Sequence, residues 1–61
     1  MDELILDGRN NYDYVGISLR GCEYILNNNI QCKNLIYNPM YRINLNGYRL
    51  FISGKIIELS N

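Results

Sequence analysis

Between Tyr41 and Leu59 apolar and other residues alternate with a period of two, the pattern of strands that bury one face. Asn46-Gly47 lies between two such runs, and this dipeptide is the strongest short-range signal of a two-residue hairpin. Turning the chain there sets Leu45 against Tyr48, Ile43 against Leu50 and Tyr41 against Ile52, so all six apolar side chains share a face. A second turn at Ser53-Gly54 pairs Leu50 with Ile57 and Tyr48 with Leu59 on that face. On the other it pairs Arg49 with Glu58 and Phe51 with Ile56. Residues 41–59 are thereby predicted to form a three-stranded meander, with Leu50 and Ile57 in the core and Phe51 and Ile56 on the opposite side.

Upstream, Asp13, Val15, Ile17 and Leu19 alternate against Tyr14, Gly16, Ser18 and Arg20, which predicts another half-buried strand. Arg20-Gly21 turns the chain into Cys22–Leu26, and Asn27-Asn28-Asn29 reads as a three-residue loop. That loop would oppose Leu26 to Ile30 and Tyr24 to Cys32, with Glu23 against Lys33 on the other face. A short helix within residues 22–37 is the competing prediction, because Cys22, Ile25 and Leu26 also fit a helical stripe; the Asn triplet speaks against it. Asn38-Pro39 ends whatever precedes it. Leu4-Ile5-Leu6 before Asp7-Gly8 adds a short strand and turn. No repeat, linker or low-complexity tract divides the chain. The expectation is a single all-β domain over 1–61, mostly antiparallel, either a small meander sheet or an SH3- or OB-like barrel.

Length sharpens this picture. A chain of 61 residues buries only about 60% of the surface it exposes when unfolded, and scaffolds of this size usually add a metal, disulfides or a partner subunit. With no His and two Cys, a metal site or bound cofactor is not expected. Cys22 and Cys32 could be bridged, but the acidic start Met1-Asp2-Glu3 lacks the features of a secretory segment, which points to a reducing cytoplasm. No apolar run approaches the roughly 20 residues that cross a bilayer, so no membrane role is expected. Self-association remains as the support. Six basic residues balance six acidic ones, which argues against strong non-specific nucleic-acid binding. The wealth of Asn and Ile suggests AT-rich codons, as in a low-GC bacterium or its phage.

Candidate chemistry adds little. Without His, the usual base for a Ser or Cys nucleophile is missing, and the five glycines stand singly at turn-like positions instead of clustering as a phosphate loop. The expectation is that the protein is not an enzyme. Candidate binding residues are Arg42, Arg49, Phe51 and Ile56, which the meander would gather beside Asn44 and Glu58 as an aromatic flanked by Arg. Tyr12, Tyr14 and Tyr37 form a second set, with large contact area and a polar tip. The strand Lys55 to Leu59 offers an edge for dimerisation or strand addition. Together these point to action by protein–protein contact, with a homodimer or higher oligomer and a protein partner, such as a host defence factor inhibited by a phage protein. The alternatives are a small barrel that binds single-stranded nucleic acid or nucleotides through the arginines, Phe51 and the tyrosines, and a structural subunit of a larger assembly.

Overall fold

The computed structural model describes residues 1–9 and 15–60. Among these the protein is all-β, as expected, with eight short strands and no α-helix. They are β1 (Glu3–Leu6), β2 (Ile17–Arg20), β3 (Glu23–Leu26), β4 (Ile30–Cys32), β5 (Asn34–Tyr37), β6 (Arg42–Asn44), β7 (Leu50–Ile52) and β8 (Ile56–Glu58). No helix among the described residues is long and apolar enough to cross a membrane.

The pairing is not that of a meander. β3, β4 and β5 follow one another in the chain, and β6, β7 and β8 lie on them in the same order, each parallel to the strand beneath. Tyr24 is beside Ile43, Ile30 beside Leu50 and Leu35 beside Ile56. The chain therefore winds twice around one interior, in the manner of a parallel β-helix, and three small sheets form its walls: β1-β5-β8, β2-β3-β6 and β4-β7. A structural repeat of about twenty residues is present where sequence alone showed none. β1 adds to β5 in parallel, and β2 is antiparallel to β3 across the Arg20-Gly21 turn, with Arg20 opposite Glu23.

Three expected hairpins are thereby corrected. The turn at Asn46-Gly47 exists: both residues have positive φ, at 53° and 81°, and the Tyr48 N–H donates to the Leu45 carbonyl at 2.9 Å. Gly47 suits it because a side chain resists that backbone conformation. Its arms, however, bond downward and not across. Asn46 Nδ2 donates to the Leu26 carbonyl at 3.1 Å, the Arg49 N–H donates to Asn29 Oδ1 at 2.9 Å, and the Ile30 N–H donates to the Arg49 carbonyl at 2.8 Å. The turn is a corner of the coil. Ser53-Gly54 is the next corner, where the Gly54 N–H approaches the Lys33 carbonyl to 2.6 Å and a Cβ would stand equally close to that oxygen. Residues 27–29 likewise form a corner between β3 and β4 and do not close a hairpin; residues 22–37 hold three strands and no helix.

Alternation of apolar and polar residues is satisfied equally by a meander and by a coil, since both turn one side of every strand inward. The coil wins because a flat sheet of this length has no second layer to cover its apolar face, whereas three walls cover one another. The buried core is Leu4, Leu6, Ile17, Tyr24, Leu26, Ile30, Cys32 and Leu35, with Val15, Leu19, Tyr37, Tyr41, Ile43, Leu50 and Ile52 packed against it.

Candidate interaction surface

Burial falls steeply along the coil axis. In the inward column that runs Leu4, Leu35, Ile56, exposure is 1%, 3% and 62%. The last winding thus ends the stack with its inner side open. Leu45 and Tyr48 at its first corner are exposed as well, and Ile43, Leu50 and Ile52 are only half-buried. Among the described residues, β6, β7 and β8 are each the outermost strand of their sheet on this end. An apolar floor and three unpaired strand edges therefore coincide.

The expected site residues are placed differently from the meander reading. Arg42, Phe51 and Ile56 lie in three separate sheets, so the Arg-flanked aromatic cluster does not form, and neither the Arg49–Glu58 nor the Phe51–Ile56 pair exists. Phe51 stands beside Gln31 on the outer side of its wall, 59% exposed, while its neighbours Leu50 and Ile52 turn in. Arg49 sits at the corner before β7. Arg42 continues an outward column of alternating sign, Arg20, Glu23, Arg42. The assignments on β8 are exchanged: Ile56 shares the inward side of Leu35, and Ile57 joins Ile5 and Ile36 in an outward apolar column. That follows from pairing β8 with β5 instead of with β7. Tyr37 lies beneath Glu58 and its hydroxyl donates to Glu58 Oε2 at 3.0 Å, a bond that holds the phenol above its ordinary pKa. Tyr12 and Tyr14 lie outside the described residues.

No family model, curated protein or solved structure matches the chain. Its chemistry must be read from its own side chains. Cys22 is exposed and Cys32 buried, and both are free thiols. Burial raises the Cys32 pKa, with the N-terminal ammonium pulling partly the other way. Cys32 is part of the buried core, in register with Ile52 of the next winding.

Charge is unevenly spread along the axis. Residues 1–9 carry Asp2, Glu3 and Asp7 against Arg9 and the N-terminal ammonium, whereas the last winding carries Arg42, Arg49 and Lys55 against Glu58. Asp7 is held by the Arg9 guanidinium, with Nε 2.6 Å from Oδ2. Burial raises its pKa, but the backbone N–H and guanidinium of Arg9 outweigh that and lower it. The pattern of the sequence places Leu45, Tyr48 and Ile52 on one face of a meander, which locates the uncovered apolar surface on a sheet face and not at the end of a coil. The signal for it was the spacing of about twenty residues between like apolar sets.

Proposed function

We propose that the protein is a non-enzymatic binding module that acts through protein–protein contact and associates with copies of itself. One observation carries this reading: the inward column is sealed at Leu4 and open at Ile56, so the last winding lacks the cover that every earlier one has. Covering Leu45, Tyr48 and Ile56 would return roughly 1–2 kcal/mol for each side chain, a large share of the few kcal/mol that a core of this size supplies. The unpaired edges of β6, β7 and β8 supply backbone donors and acceptors to the same contact.

Sedimentation velocity over a range of concentrations tests it. Wild-type protein should shift from monomer to larger species, and Ile56→Asp should abolish the shift while the far-UV spectrum keeps its strand signature. A wild-type protein that stays monomeric to millimolar concentration would sink the reading. The oligonucleotide alternative draws no support from the placement of Arg42 and Phe51 on different walls.

A further inference from the structure

Resting on that reading, we infer that the association is head-to-tail: the free edge of β8 pairs in parallel with the free edge of β1 of the next copy, extending the β1-β5-β8 wall from one molecule into another. Among the described residues β1 and β8 are the two edges of this wall, and all three strands run in the same direction. The two edges are thus related as a strand and its continuation.

Hydrogen-bond phase is the first constraint. The Asn34 and Asn38 N–H groups donate to the Asp2 and Leu6 carbonyls, so alternation along β1 directs the backbone groups of Glu3 and Ile5 to the free edge. On β8 the Lys55 carbonyl and the Leu59 N–H face β5, which directs those of Ile56 and Glu58 outward. In a parallel ladder one residue bonds to the two that flank its partner. Ile56 between Glu3 and Ile5 meets that condition, with Leu4 of the next copy as its partner.

Side chains then choose the register. Within the molecule the columns are Glu3, Asn34, then Lys55 by continuation of the strand, followed by Leu4, Leu35, Ile56 and by Ile5, Ile36, Ile57. Placing Ile56 beside Leu4 sets Lys55 beside Glu3 and Ile57 beside Ile5. A slip of two residues one way sets Ile57 against Glu3; a slip the other way sets Lys55 against Ile5. The unslipped register matches opposite charges at one position and apolar residues at two, and sets Glu58 beside Leu6 as it stands beside Tyr37 within the molecule; either slip loses both the charge match and the Ile57–Ile5 match. The axial polarity agrees, bringing the basic last winding onto the acidic edge of its neighbour. It also disfavours β8 pairing with β8, which would bring like-charged windings together.

A head-to-tail contact is heterologous and, repeated from copy to copy, yields a ring or an open series of oligomers and not a two-fold dimer. Charge exchange tests the assignment. Glu3→Lys and Lys55→Glu, both at exposed positions, should each weaken association roughly three- to tenfold at low salt. The double variant Glu3→Lys/Lys55→Glu should recover it, as should an equimolar mixture of the two single variants. Neutral Glu3→Gln and Lys55→Gln serve as a second pair, each giving a smaller loss, and unchanged thermal unfolding at low concentration shows that the fold is kept. A closed dimer, or a double variant no better than its parents, overturns the head-to-tail arrangement and leaves self-association standing. A wild-type monomer overturns both.

Discussion

Asn29 Oδ1 accepts the backbone N–H of Arg49 at 2.9 Å, so a side chain of the first winding holds the main chain of the second at its corner. Asn34 does the same one corner later, accepting the Lys55 N–H at 3.0 Å. Each bond should contribute about 1 kcal/mol. Asn29→Ala and Asn34→Ala are each expected to lower Tm by roughly 4–8 °C in a domain of this size, as read by circular dichroism.

The burial gradient gives a second expectation. Leu35→Ala empties a position that is 3% exposed and should cost about 2–5 kcal/mol, while Ile56→Ala, one winding on, should cost well under half of that in dilute solution. Urea midpoints measured at low micromolar concentration compare the two directly. Equal losses would mean that the last winding is covered.

Thiol chemistry should split the two cysteines. Cys22 is exposed, whereas Cys32 is buried with a pKa raised by that burial. Native protein should therefore react with a disulfide reagent at one thiol per chain, and at two after unfolding. Fast reaction of both in the native state would contradict the placement of Cys32.

Alkaline pH offers a fourth test. Burial raises the Tyr24 pKa despite the Gly8 N–H that its oxygen accepts at 2.6 Å, and the bond to Glu58 raises that of Tyr37. A folded-state pKa above the unfolded value of about 10 stabilises the neutral form. This part of the stability is full below pH 10 and is lost as pH rises through the folded values. Ultraviolet titration should show late-ionising tyrosines, and Tyr37→Phe and Tyr24→Phe should each remove part of that late phase.

Strand content, most strand positions and both Gly-containing corners were legible from period-two alternation and turn residues. Partners were not. Alternation states which side of a strand is buried and is silent on what lies beside it, so Ile43 could face Leu50 in a hairpin or Tyr24 in a coil with the same pattern. Asn46-Gly47 fixed the turn but not the fate of its arms, because Asn29 and Leu26 compete for them. The helix considered for residues 22–37 failed on the Asn triplet, which is a corner. The open end became visible only once Ile56 could be compared with Leu35 and Leu4.

The Arg20-Gly21 turn also sets an order in time. It joins β2 to β3 after two residues, whereas every parallel pair must first close a loop of about twenty or more. Closing longer loops costs more entropy before any contact repays it. The hairpin at the sealed end is therefore the natural first structure, and the windings are laid down from it. The last of them, held from one side only, is the first to fray, and its backbone amides should exchange with solvent well ahead of those in β3.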